Sequence, residues 1–555
     1  MTYKNTFFLF SLVSLLMSGP ARADGLIDNV NGITLTQEGK EKRFYAMVIG
    51  SDGRVKKLLQ RRDRRPADLE YRYDGKGRTL LPGFVDGHAH VIRTGLTALT
   101  LDLSDANSME EAKQKISAYA SQNSGKFWII GRGWNHHRWN LGRFPNAQDL
   151  QGLAGDRPIW LLHQDGQAGW ANRAAMEAAK ISGATKTPRA GVILKEAGRP
   201  SGIFIDTAMQ LVDDIIPKPR PVERDLAFLA AQKMFLSKGI TTVSDMGTSL
   251  ADWQSYRRAG DTRRLNLRII SYADDIDEMI RIAGPRPSPW VYQDKLRMIG
   301  VKLHLDGGLG SGGAWLKKPY IGTQSAGGNN RGRAQLSPAQ LRNKLTRGVM
   351  DGFQVAVHAV GDQANAELLS AIEDVAPTFG GDRRWRIEHA HLFDAADRQR
   401  LSALKTIVSV QPLYQLSGYP SVLAGLSPDQ HAHSYAWRSL SQFSASLSFG
   451  SDAPGQAINP FAAIAAAMTR EDARGQPFGG WQPAERLQRE DAWQAHTLNP
   501  SFAAFAEDRL GSLEPGKHAD FILVDTDIML ATPAELRGIE VLETWVGGKS
   551  VYVRK

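Results

Sequence analysis

Six residues able to bind a divalent metal stand at positions 88, 90, 302, 358, 389 and 452, and each closes a short apolar run. His88 and His90 follow Leu80-Leu81-Pro82-Gly83-Phe84-Val85-Asp86-Gly87. Lys302 follows Ile299-Gly300-Val301, and His358 follows Val355-Ala356-Val357. His389 ends Arg386-Ile387-Glu388-His389, and Asp452 ends Leu447-Ser448-Phe449-Gly450-Ser451-Asp452. Neutral imidazoles and a carboxylate suit zinc and similar divalent ions. A lone H-x-H on a strand is usually incidental, a strand-end lysine is usually solvated, and a Gly-Ser-Asp turn is usually only a turn. The joint order His-x-His, Lys, His, His, Asp carries the chemistry.

Runs of four to eight apolar or β-branched residues read as buried strands. Three more fit beside those five: Ile240-Thr241-Thr242-Val243-Ser244-Asp245, Leu267-Arg268-Ile269-Ile270-Ser271-Tyr272, and Thr406-Ile407-Val408-Ser409-Val410-Gln411. Helix-like stretches separate most of the eight, among them Asp225 to Lys238, Ser337 to Met350 and Asn365 to Val375. Strand and helix alternating eight times predict an α/β fold, a (β/α)₈ TIM-like barrel. The candidate ligands then come from strands one, four, five, six and eight, all at the carboxyl-end face where such barrels display their chemistry.

The 555-residue chain has room for one large barrel plus appendages, and a 42% hydrophobic fraction supplies an ordinary core. The net charge of +10 is partly local, with Arg54, Lys56, Lys57, Arg61, Arg62, Arg64 and Arg65 crowded into one stretch. Such a run reads as a solvated face, and no nucleic-acid-binding motif accompanies it. With no cysteine there is no disulfide, thiol ligand or thiol nucleophile. Lys4, the apolar stretch Phe7 to Met17 and Ala21-Arg22-Ala23 read as a cleavable signal peptide over residues 1–23. Export is expected, to the periplasm or beyond, and no later stretch is apolar enough to span a bilayer.

Two segments stand outside the barrel pattern. Residues 24–80 alternate short β-like pieces with turns, and 506–555 do likewise, notably Asp520 to Val524 and Glu543 to Val553. Together they predict a small β-sandwich built from both chain ends around a barrel over 81–505. Between strands one and two, roughly residues 97–230 form an insertion too apolar for a disordered loop. It is expected to cap the barrel mouth.

Leu81-Pro82-Gly83-Phe84-Val85-Asp86-Gly87-His88-Ala89-His90, Val301 to Ser311, Val357-His358-Ala359-Val360-Gly361-Asp362, Arg386-Ile387-Glu388-His389-Ala390, Gly450-Ser451-Asp452-Ala453-Pro454 and Gly511 to Asp520 together resemble the amidohydrolase superfamily. The resemblance is to its family 3 branch, which includes N-substituted formamide deformylases. It implies that His88, His90 and Asp452 hold one metal and that His358 and His389 hold a second. Lys302 takes the place of a lysine that many members carboxylate to bridge the two. One or two zinc ions are the implied cofactor, and Asp452 is the implied proton carrier in hydrolysis.

Other residues compete for roles. His304 shares a strand face with Lys302 and is read as packing or substrate contact. His391 stands likewise to His389, but the Arg-Ile-Glu-His pattern favours His389. His163, His431, His433, His496 and His518 have no comparable context. The glycine-rich run Gly307 to Gly313 lacks the ending of a phosphate loop and reads as a loop beside the metals. Departures from the family pattern at Ser244-Asp245, Asn135-His136-His137 and Asp165-Gly166-Gln167 point to a changed substrate pocket. Trp134, with Trp139, Trp170 and Trp315, is a candidate aromatic wall for a small-molecule substrate. The expected activity is hydrolysis of a C–N bond in an amide, N-acyl or N-formyl amine. Ester, lactone or cyclic-imide hydrolysis is the alternative among enzymes, and a non-catalytic binding protein on a retired barrel is the alternative outside them.

Overall fold

The eight apolar runs pair, in chain order, into one parallel sheet. Its strands are β1 (Phe84–Ala89), β2 (Ile240–Thr248), β3 (Arg268–Ala273), β4 (Leu296–His304), β5 (Gln354–Ala359), β6 (Arg386–His389), β7 (Ile407–Val410) and β8 (Ser446–Phe449). The chain is seen here as a computed structural model that describes residues 24–555 except 137, 164, 165, 167, 189, 190, 311 and 323–328. Residues 1–23, the expected signal peptide, and the positions His137, Asp165, Gln167 and Ser311 lie outside the described residues. Four of these strands are buried along their whole length and the other four at all but one or two positions, the pattern of a sheet covered on both faces.

The sheet curls into a TIM-like barrel whose seam between β1 and β8 is tied at the ligand end. Asp452 N donates to His88 O at 2.7 Å and His90 N to Ala453 O at 2.9 Å. Asp86 Oδ1 accepts from His88 N (3.1 Å) and from Ser451 N (2.9 Å), one carboxylate pinning both sides. A Cβ on Gly450 would lie 2.5 Å from His88 N, so only glycine lets the two strands approach this closely. Elsewhere along the seam the turn at Ala495-His496 is wedged between the strands, accepting from Phe449 N (2.7 Å) and Val85 N (2.9 Å).

Helices pack around the sheet for reasons visible in their sequences. Helix α1 (Val91–Ala98) follows β1 directly, and Asp245 Oδ1 accepts from its Val91 N at 2.8 Å. Helix α2 (Pro338–Met350) starts with Ser337 as N-cap, Gln340 closing a capping box, and Pro338 in the first turn. Its Leu341, Leu345 and Val349, four residues apart, face the core. Truncating Leu345, fully buried, to Ala is expected to cost about 2–5 kcal/mol.

The apolar run ahead of His88 splits at Gly83. Thr79–Pro82 leaves the barrel to pair antiparallel with Phe521–Val524, and β1 begins only at Phe84. Strands Lys549–Val553, Val541–Val546, Phe521–Val524, Thr79–Pro82, Asn31–Leu35 and Glu41–Phe44 form a six-stranded sheet. A four-stranded sheet comprises Val55–Leu59, Ala46–Ile49, Asp24–Asp28 and Leu69–Asp74. Ile27, Met47 and Val55 share one core with Leu80, Phe521 and Trp545, so the two sheets form a sandwich that uses both chain ends.

After α1 comes a second six-stranded sheet, from Leu101–Asp102 to Arg199–Asp206, with cores of its own. Helix Pro221–Ser237 already packs on α1 and the barrel, so the inserted sheet ends before the residue-230 boundary read from the sequence. Among the described residues no helix is long and apolar enough to cross a membrane.

Candidate metal centre

His88, at the end of β1, is fully buried, and its Nδ1 lies 2.6 Å from Glu388 Oε2 on β6. That partner fixes the proton on Nδ1 and leaves Nε2 free as a ligand. Nε2 faces Lys302 Nζ at 3.3 Å and Asp452 Oδ1 at 3.6 Å. Asp452 Oδ1 is also 3.2 Å from His90 Nε2. On the other side of the cluster, His389 Nδ1 lies 2.8 Å from Gln411 Oε1, just past β7. One potential ligand atom each from His88, His389 and Asp452 falls within a 4.8 Å span. The His358 ring stands 4.4 Å from that of His389, centroid to centroid. All six residues singled out in the sequence therefore meet at one end of the barrel.

Backbone shape contributes to that convergence. Side chains alternate faces along a strand, so Glu388 and His389 should point opposite ways. His389 and Ala390 adopt φ values of 80° and 46°, and Asp452, three residues beyond β8, adopts 51°. Left-handed conformations at non-glycine residues are costly and collect at functional sites, where they re-aim side chains. Register places His304 beside His358 and Ala359 beside His389, setting neighbouring strand ends level.

The electrostatics favour ligands in their unprotonated forms. Burial drives His358 and His389 well below the ordinary imidazole range and brings His88 to about 4, with the Lys302 charge adding to each effect. Burial also brings the Lys302 amine down to about 8. For Asp452, burial alone would raise the carboxyl. The hydrogen bond from His90 and the charges of His88, His90 and Lys302 outweigh it and hold Asp452 below the usual range. Among the described residues His358 Nε2 is buried without a hydrogen-bond partner, the nearest carboxylate oxygen, Asp306 Oδ1, standing 3.7 Å away. An orphaned imidazole nitrogen among neutral histidines and one carboxylate is a donor set that fits a divalent cation.

Several residues that support the site carried no role in the sequence reading. Glu388 is held by Arg386, whose Nε donates to Oε1 at 2.8 Å, and both side chains are fully buried. Arg386 also donates to Gly87 O (2.8 Å) and to the Tyr272 hydroxyl (2.9 Å). Two opposite charges two apart in an apolar run were the available signal, since they share a strand face. Asp306 accepts from Trp315 N (2.9 Å), Val360 N (2.9 Å) and Gly361 N (2.8 Å), which ties the glycine loop to the end of β5. Burial nonetheless pushes its carboxyl up to about 7.

Two contiguous cavities open on the cluster, with His358, His389, Tyr414 and Asp452 lining both. His304 lines the first, together with Lys302, Arg93 and Tyr414. His391 lines the second and does not stand in for His389, its ring lying 5.6 Å from that residue's and packed 4.8 Å from Tyr435. Trp134 is placed differently from its predicted role. It is fully buried in the inserted sheet, its indole N–H donating to Leu161 O at 2.8 Å, and Trp139 and Trp170 share that core. These rings fill the insertion's own interior, and neither cavity is lined by any of them or by Trp315. The aromatic walls are Tyr414 and Tyr435.

A parallel eight-stranded barrel thus gathers histidines, a lysine and an aspartate at its carboxyl-end face, a donor set suited to a divalent metal. The chain belongs to the Amidohydrolase family, which it matches over residues 73–552. It is 33% identical to the Arabidopsis thaliana protein LONG AFTER FAR-RED 3 over 496 residues, covering 86% of this chain and 83% of that one. It is 25% identical to the N-substituted formamide deformylase of Arthrobacter pascens over 507 residues, covering 87% and 90%. Its fold matches that of an uncharacterized metal-dependent hydrolase from Pyrococcus horikoshii with a TM-score of 0.77 at 23% identity, covering 92% and 99%. The family implies hydrolysis of a small-molecule substrate.

Proposed function

We propose that this protein is an exported, zinc-dependent amidohydrolase that cleaves a C–N bond in an amide, N-acyl or N-formyl amine. The observation that carries the proposal is the approach of His88, His389 and Asp452 within 4.8 Å, with both histidines oriented from behind by Glu388 and Gln411. His88, His90 and Asp452 would hold one ion, His358 and His389 a second, and Lys302, as its carbamate, would lie between them. When bound, such ions polarise a carbonyl and lower the pKa of water. Lys302 is suited to the carbamate because burial weakens its hold on a proton, and a neutral amine is the form that takes up carbon dioxide.

The chain's own groups supply the rest. Asp452 is ionised at neutral pH and can accept the proton of the attacking water at a carboxylate oxygen. The same carboxyl can then deliver that proton to the departing nitrogen. His90, 3.2 Å from Asp452 Oδ1, steadies the carboxylate between those two tasks. His304 and Tyr414 border the space beside Lys302, where they can orient the substrate. The relationship to a formamide deformylase favours amides over esters. The test is turnover on a panel of N-formyl and N-acyl amines beside matched esters, before and after metal removal. Ester cleavage without amide cleavage would reject the C–N assignment.

A further inference from the structure

Apart from the ligand cluster, the two cavities are almost free of charge. Their charged lining residues are Arg93, Lys302 and Asp452, and the last two belong to the proposed ligand set. Among the described residues that line them, Arg93 is the one charge left for a substrate to meet. It lies in the first turn of α1, three residues after His90, and residues so spaced are neighbours on a helix surface. Its side chain is exposed to the cavity, and among the described residues no ion pair or hydrogen bond occupies its guanidinium. On the far side of Tyr414 the second cavity is bordered by the rings of Tyr435 and His391, 4.8 Å apart, and by Leu309. Charge at one end and rings at the other describe an amphiphilic ligand.

We propose that Arg93 is a specificity-determining residue that selects amide substrates carrying a carboxylate, whose apolar body occupies the Tyr414–Tyr435 cavity. This rests on the amide-hydrolysis reading. A planar guanidinium with a free fork of donors matches a carboxylate in two parallel hydrogen bonds, and a neutral carboxamide cannot reproduce that match.

The experiment compares N-acetylphenylalanine, in both enantiomers, with its uncharged carboxamide on the metal-loaded protein and on its Arg93→Ala and Arg93→Lys variants. The wild type is expected to prefer the carboxylate in kcat/KM. Arg93→Ala is expected to shrink that preference roughly ten- to a hundredfold, mainly through KM, as befits loss of hydrogen bonds to a charged group. Arg93→Lys should restore part of it. An equal preference in the wild type, or an equal loss on both compounds in Arg93→Ala, overturns the proposal. If neither compound is cleaved, the amide reading is left to the wider panel, and the Arg93 assignment is read by calorimetric binding of the same pair. Carboxylate-selective binding that Arg93→Ala abolishes supports it, and its absence in the wild type refutes it.

Discussion

Glu388 and His88 lie 300 residues apart in the chain and 2.6 Å apart in the fold, oxygen to ring nitrogen, both fully buried. The contact fixes which nitrogen of His88 can take a metal, and its strength depends in turn on Arg386. Glu388→Gln is expected to lower metal affinity about 10- to 100-fold, the usual effect of losing a partner behind a ligand. It also leaves the Arg386 charge buried without its counter-charge, which should cost about 3–5 kcal/mol. Metal retained after dialysis and the denaturant midpoint read the two effects separately. A variant matching wild type in both would remove Glu388 from the account.

Gln411 does for His389 what Glu388 does for His88, without the charge. Gln411→Leu should therefore loosen metal at the His358–His389 position while changing stability less than Glu388→Gln does. Unchanged metal stoichiometry across a dilution series would contradict this.

The ligand series was legible in the sequence because each ligand ends an apolar run, and strand ends in a parallel barrel share a face. Strand order followed from alternation alone. The partners behind the ligands were harder to see. Nothing local marks Gln411 as the neighbour of His389 or Asp86 as the tie across the seam, because the first is set by the register of β6 on β7 and the second by barrel closure. Trp134 shows the converse. Tryptophan composition signals a large apolar side chain but cannot tell an insertion's core from a cavity wall, and the tyrosines on that wall sat in α-helical and loop sequence with no distinguishing pattern.

Acid should destabilise the metal-free protein before it reaches the carboxylate range. Burial holds His88, His391 and His496 at about 4, against an ordinary value of 6.5. Between those values the unfolded chain binds more protons than the folded one, so stability present above pH 6.5 is lost as pH falls towards 4. Each histidine contributes a slope of about 1.4 kcal/mol per pH unit within that window. Urea midpoints of chelated protein from pH 7.5 to 4.5 should fall accordingly; a flat profile would mean these histidines are not neutral in the fold.

The leader read from Lys4, Phe7 to Met17 and Ala21-Arg22-Ala23 predicts a mature chain that begins at Asp24. N-terminal sequencing of protein from the periplasmic fraction should return Asp24. An intact Met1 on cytoplasmic protein would overturn the export assignment.

Asp452→Asn keeps size and one oxygen but cannot accept a proton at neutral pH. It is expected to fold normally and lose about 10²–10⁴-fold in kcat on any amide the wild type cleaves. His358→Ala should instead act by lowering metal content. Near-full activity in Asp452→Asn would point to another proton carrier, with His304 the first candidate.

The central claim, that His88, His90, Lys302, His358, His389 and Asp452 form a metal centre, is tested most directly by elemental analysis of protein purified without chelator. The account predicts one to two equivalents of a divalent transition metal, zinc foremost. Less than about half an equivalent of any such metal, in folded protein, would contradict it.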